Sequence, residues 1–194
     1  DLQIKFIQES GIIMAMVGIM IALPNTQLYR RLQKEGRLLG ETSGNNTHDL
    51  DTNFVTVMNK RTLQEGYKRV LKTIYNPKNY FARCRVMMDE VPKRSRAKRP
   101  LRWQEMRAFL ISLFVQTFSS YGIEYVKFLA YTIRKKPSLF PEAVRMAIML
   151  HHFRGITNQL VKNHNRLLRR ALHAAKKTLT VEAAPQSAFA SREE

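Results

Sequence analysis

The pattern of apolar and polar positions reads as α/β at the amino-terminal end of this chain and as all helix beyond it. Leu2, Phe6 and Ile7 fall at helical spacing with Lys5, Gln8 and Glu9 between them, and Gly11 supplies a helix stop. Residues 12–22 are then almost wholly apolar, with Gly18 inside the run, as expected of a parallel strand covered on both faces. A buried helix is the competing reading; the stop at Gly11 and the turn at Pro24 favour the strand. Leu23-Pro24-Asn25-Thr26 turns the chain, and Thr26 or Asn25 caps a short helix through Lys34, packed by Leu28 and Leu32 and ended at Gly36. Residues 40–53 have loop composition, and residues 54–58 offer a short strand. Helix, strand, loop, helix is α/β grammar.

Helical periods take over from there. Thr62 and Glu65 have the spacing of a capping box, and Tyr67, Val70, Leu71 and Ile74 then form one apolar face. Asn76-Pro77 reads as N-cap and first helical residue of the next helix, with Tyr80, Phe81, Cys84 and Met87 or Met88 turned inward. Residues 91–100 place Lys93, Arg94, Arg96, Lys98 and Arg99 between two prolines without an acidic residue, which predicts an exposed connector. Beyond it Trp103, Met106, Leu110, Leu113, Phe114, Phe118 and Tyr121 recur at helical spacing as an inward stripe, and Gly122 ends that helix. A further helix spans 123–134. A long helical region runs from near Pro141 to near Thr178, with Met146, Met149, Leu150, Ile156, Leu160, Leu167 and Leu168 inward. Residues 181–194 lack periodicity and read as a disordered tail.

Composition narrows the classes. The 194 residues are 44% hydrophobic and 25% charged, the balance of a globular protein rather than a disordered one. A formal charge of +18 favours an anionic partner: nucleic acid, an acidic lipid surface or a negatively charged domain. The single cysteine, Cys84, excludes an intrachain disulfide and any cluster held by several thiolates of this chain, and fits a cytoplasmic setting. The apolar run of about twelve residues falls short of the roughly twenty that a membrane-spanning helix needs, and no signal-peptide pattern precedes it. The chain opens at Asp1, already within a helical pattern, which leads to the expectation of a fragment with sequence upstream.

Met14-Ala15-Met16-Val17-Gly18 followed by Ala22-Leu23-Pro24-Asn25-Thr26-Gln27-Leu28-Tyr29 resembles a late strand and loop of the radical S-adenosylmethionine (SAM) barrel in enzymes with an amino-terminal cobalamin-binding domain. Gly36-Arg37-Leu38-Leu39, Gly44-Asn45-Asn46-Thr47 and residues 65–75 resemble the uncharacterised carboxy-terminal domain of one branch of that family, so the likeness covers roughly the first ninety residues. The resemblance implies a parent enzyme with a Cys-x-x-x-Cys-x-x-Cys loop, a 4Fe-4S cluster, SAM and cobalamin, performing radical methylation or related chemistry. It also implies that the backbone of Val17, Gly18 and Ile19 lies near the SAM adenine. The cysteine loop is absent here, and three thiolates are needed to leave one iron open for SAM, so this chain alone is expected to be catalytically inert. Asn25 stands where the family usually has glycine, which a left-handed residue tolerates; Ile21 replaces a frequent threonine; His48-Asp49-Leu50-Asp51 departs from the family wording.

The expected architecture is therefore a composite of α/β and all-α parts. Residues 1–60 complete a parallel α/β barrel, 61–180 form a helical carboxy-terminal domain interrupted by the basic connector, and 181–194 are tail. The partners implied are the parent's amino-terminal barrel and cobalamin-binding domains and an unidentified substrate. The alternative is a basic helical module for nucleic acid or an anionic membrane surface, of which nucleic acid is disfavoured because no nucleic-acid motif appears and the aromatics are assigned to the inward stripe. His48, His151, His152, His164 and His173 show no zinc-enzyme spacing and are read as ordinary surface or core residues.

Overall fold

The computed structural model describes residues 1–40, 42, 50–91 and 103–182. Most of the basic connector, the asparagine-rich stretch at 43–49 and the tail beyond Glu182 lie outside the described residues. Seven α-helices and one 3-10 turn are found among the described residues: α1 (Leu2–Glu9), α2 (Gln27–Lys34), α3 (Lys60–Ile74), α4 (Pro77–Glu90), α5 (Trp103–Thr117), α6 (Gly122–Lys135), a turn at Pro137–Leu139 and α7 (Phe140–Glu182). The compact unit Asp1–Thr157 contains α1 to α6 and the start of α7, while Asn158–Glu194 forms a second unit. In the second unit α7 continues with Leu167 and Leu168 exposed, against the expectation that both face inward.

Local signals account for most helix ends. Gly11 and Gly36 take positive φ (67° and 64°) just past α1 and α2, the conformation that glycine adopts without a steric penalty. A Cβ on Gly11 would also come within 3.2 Å of the Met87 amide nitrogen, so the same residue lets the chain pass close to α4. Asn25 has φ 66°, the left-handed position for which asparagine is suited, and Thr26 caps α2 by accepting from the Tyr29 amide at 3.2 Å. Asn76 caps α4 with Pro77 at the first turn, as the sequence predicts. The start of α3 differs: Asn59 is the cap, accepting from the Arg61 amide at 2.9 Å, so Thr62 lies inside the helix and the Thr62–Glu65 box is not used. Gly122 begins α6 where a Cβ would collide with the Thr117 carbonyl, so the α5–α6 turn admits only glycine there.

The barrel reading is overturned. Among the described residues there is no strand, and hence no parallel sheet for residues 1–60 to complete. The single isolated bridge pairs Leu38 with Phe54, through Leu39 N–H to Asn53 O and Val55 N–H to Arg37 O, both 2.8 Å. That is all that remains of the strand expected at 54–58. The apolar run at 12–22 forms neither strand nor helix. Its exposure alternates, with Ile13, Ala15, Val17, Ile19 and Ile21 half-buried and Ile12, Met14, Met16, Gly18 and Met20 exposed. Period two is the signature of extended backbone, so the conformation is strand-like but no neighbouring strand completes a ladder.

The core of the first unit lies where α4, α6 and the start of α7 converge. Tyr80, Phe81, Cys84, Tyr125, Phe128, Ala143, Ala147 and Leu150 are all at most 1% exposed. Phe81 stacks on Phe128 at 4.7 Å between centroids, and the Tyr80 hydroxyl donates to the Met146 carbonyl at 2.9 Å, satisfying a polar group that burial would otherwise penalise. A smaller cluster of Ala22, Leu32 and Phe54, flanked by Leu28, Tyr29 and Leu38, anchors α2 to the bridge.

Helix α5 is turned inside out relative to the sequence expectation. Its buried residues are Ser112 and Gln116, whereas Trp103, Leu110, Phe114 and Phe118, placed on the inward stripe, are 77%, 54%, 71% and 79% exposed. The polar pair is what α6 receives: the Gln116 side-chain amide donates to Ser112 Oγ at 2.7 Å, and Ser112 Oγ lies 3.2 Å from the Tyr125 hydroxyl. A helix apolar on most sides carries no periodic signal for its inner face, so this hydrogen-bonded network fixes the orientation.

Candidate functional site

The extended segment 12–22 is held by side chains rather than by a sheet. Tyr67 of α3 donates to the Val17 carbonyl at 3.0 Å, Tyr75 to the Ala15 carbonyl at 2.9 Å and Arg83 of α4 to the Ile13 carbonyl at 3.3 Å. These are alternate residues, so one edge of the extended chain is read by three donors, from α3, its C-cap residue and α4. Further along, Thr52 donates to the Met20 carbonyl at 2.9 Å. The Asn53 side chain bonds both the N–H and the C=O of Ala22, each at 2.9 Å, as a neighbouring strand would. Removing both phenolic donors, in a Tyr67→Phe/Tyr75→Phe variant, is expected to cost about 2 kcal/mol at about 1 kcal/mol per bond. Limited proteolysis should then cut faster within 12–22 while the helical circular dichroism is unchanged.

Arg83 is the centre of this arrangement. It is 0% exposed, donates to the Ile74 carbonyl at 2.9 Å and to Gln8 Oε1, and lies over the Tyr80 ring at 5.3 Å. No carboxylate pairs with it among the described residues, and its Nε has no partner. Burial lowers its pKa, and the neighbouring Cys84, Tyr80 and Tyr75 side chains oppose that shift in part. The sequence reading passed over Arg83, although the residue falls on the same face of α4 as Tyr80, Cys84 and Met87. A charged residue on an apolar stripe is the signal that could have found it.

Cys84 is fully buried, as expected of a core residue, and burial pushes its thiol from 9.0 up to about 12. The folded state thus holds this proton more tightly than the unfolded chain. The stability it contributes is complete below about pH 9 and is lost as the pH rises toward about 12. Tyr67, Tyr75 and Tyr125 are raised by burial too, so they add to alkaline destabilisation. At pH 8 the native thiol should resist a thiol-reactive disulfide reagent, with rapid labelling only in denaturant; fast native labelling would contradict the buried placement.

A cleft of about 320 Å³ opens beside the end of the extended segment, walled by Ile19, Met20, Leu28, Leu32, Phe54 and Met58, with Arg31 and Arg37 at its side. Both guanidinium groups contact Glu35, at 3.4 and 2.8 Å, and Arg37 also donates to the Val55 carbonyl at 3.0 and 2.7 Å. The cleft is therefore an apolar slot with residual positive charge, suited to a flat or aliphatic group carrying an anion. Of the three residues implied by the resemblance, Ile19 lines this cleft, Gly18 is exposed, and the Val17 carbonyl is occupied by Tyr67.

The family model of a domain of unknown function, DUF4070, matches residues 26–166. This chain belongs to the DUF4070 family. The DUF4070 match begins at the N-cap of α2 and takes in the cleft's helices, the core and the inverted helix α5. Segment 12–22 precedes it. The chain is also similar to the uncharacterized methyltransferase sll1242 of Synechocystis sp., 30% identical over 83 residues, which are 43% of this chain and 16% of that protein. The chain thus spans well under a fifth of that relative. No solved structure matches it.

Of the cofactors that the resemblance implies, the iron-sulfur cluster makes the sharpest demand on side chains. A four-iron cluster needs three accessible thiolates, and this chain offers one cysteine, fully buried and with its thiol held protonated. The cluster therefore does not fit here. Among the described residues no group of three or more His, Cys, Asp or Glu converges, and no helix is long and apolar enough to cross a membrane.

Proposed function

We propose that this chain is the carboxy-terminal part of a larger cobalamin-binding radical SAM enzyme that carries out methylation or related radical chemistry. The observation that carries the reading is the DUF4070 match over residues 26–166, a family found in proteins associated with radical SAM and cobalamin domains. The partial likeness to a methyltransferase supports it. The cluster, and the cobalamin domain with it, belong to other parts of the parent polypeptide. This chain's own contribution is a helical body that holds the extended segment 12–22 and presents the apolar cleft at Ile19, which in this reading forms a wall for the adenine of SAM or for the substrate.

The test begins with the reading frame upstream of Asp1. An in-frame Cys-x-x-x-Cys-x-x-Cys behind a cobalamin-binding domain is expected, and the complete polypeptide reconstituted without oxygen should show the visible absorbance of a cluster and cleave SAM. A complete protein with neither the cysteine loop nor SAM turnover would overturn the proposal. Truncation beyond Pro100 in the complete enzyme should impair substrate handling while the cluster still assembles.

A further inference from the structure

The outward face of α5 carries a row of exposed large apolar side chains, and it lies far in sequence from the cleft. At helical spacing Trp103, Met106, Leu110, Phe114 and Phe118 share the arc opposite buried Ser112 and Gln116. Phe114 and Phe118 meet edge to face at 5.3 Å in the open, and α6, which packs on α5, adds exposed Ile123, Val126 and Ile133. A cluster of exposed aromatic and aliphatic side chains of this kind marks a docking face.

Charge selects the occupant. From Trp103 to Lys136 the hairpin carries five cations (Arg107, Lys127, Arg134, Lys135 and Lys136) against two carboxylates, Glu105 and Glu124, both half-buried. Arg107 is exposed on the apolar arc itself, where its stem can lie along the surface and its head reach outward. The whole chain, at +18, would repel a second copy of itself over any face not neutralised by contact. At 15 residues α5 is about 22 Å long, too short to span a bilayer and suited to lying flat at its surface.

We propose that the α5–α6 hairpin docks on an anionic lipid surface, with Trp103, Phe114 and Phe118 entering the headgroup boundary and the hairpin's cations facing acidic headgroups. Aromatic and aliphatic anchors provide depth, and the positive charge makes the attachment selective and salt-sensitive. The inference stands independently of the enzyme reading.

Trp103 is the only tryptophan in the chain and reports directly on this face. The full chain, mixed with vesicles of equal parts phosphatidylglycerol and phosphatidylcholine, should show a blue shift of emission and quenching by bromine-labelled acyl chains. Pure phosphatidylcholine vesicles should give at least tenfold weaker partitioning, and added salt should weaken binding to the acidic ones. Phe114→Glu/Phe118→Glu should reduce partitioning at least tenfold with unchanged circular dichroism. A Met14→Glu/Met16→Glu control, on the other exposed apolar segment, should bind as the parent does. The proposal is overturned if Trp103 emission ignores acidic vesicles or responds equally to neutral ones. It is overturned equally if emission shifts with protein concentration in lipid-free buffer, which would assign the face to self-association, or if RNA without lipid produces the same blue shift, which would assign the face to nucleic acid.

Discussion

Arg83→Met is expected to lower the free energy of unfolding by about 3 kcal/mol or more, as read from the urea midpoint at unchanged slope. The methionine fills much of the arginine's volume, so the loss is not mainly one of packing. It lies in the acceptors left behind: the Gln8 side chain and the carbonyls of Ile13 and Ile74, each of which costs about 1–3 kcal/mol if stranded without water. Those three belong to α1, the extended segment and the end of α3, so one side chain of α4 ties together three parts of the unit. Arg83→Lys keeps the charge but loses the planar fork, and should recover only part of the difference. If Arg83→Met were as stable as the parent, the guanidinium would not be the tie described here.

Phe81→Ala should cost about 3–5 kcal/mol, a large fraction of the stability of a domain of this size. Phe81 is 1% exposed, is stacked on Phe128 and lies edge-on to Tyr80 at 5.8 Å, so its removal leaves a cavity bordered by rings that cannot turn freely to fill it. Phe81→Leu should cost roughly half as much, because most of the volume stays while the ring contacts go. Both variants should move the urea midpoint without altering Trp103 emission in the native state, since that residue is exposed on α5.

What the sequence disclosed follows the range of the interaction concerned. Gly11, Gly36, Asn25, Thr26 and Asn76-Pro77 act within a few residues, and their turns and caps are where the local pattern puts them. Asn59 rather than Thr62 caps α3; both are competent caps and residues 59–62 are all exposed, so the local pattern does not separate them. The run 12–22 read as a buried strand because uniformly apolar residues do not reveal whether neighbours will be strands or helices. Its partners turned out to be hydroxyls and a guanidinium fifty to seventy residues away. Likewise α5 is apolar on most sides, and the choice of Ser112 and Gln116 as its inner face depends on Tyr125 across the turn. Of the candidate site, Ile19 was named from the resemblance and does line the cleft, but Arg31, Arg37 and Arg83 acquire their meaning only from tertiary placement.

The alternation along 12–22 also divides the chain's sulfur by chemical fate. Met14, Met16 and Met20 point outward at 47%, 77% and 61% exposure, whereas Met88 and Met146 are enclosed at 0% and 5%. Dilute peroxide should therefore convert these three, together with Met58 at 55% exposure, to sulfoxides well before the core pair, resolved by peptide mass. Each oxidation turns a soft apolar contact into a polar one without touching the hydroxyl clamps beneath. The segment would weather from one side, losing its affinity for apolar neighbours before it loses its place on the helices.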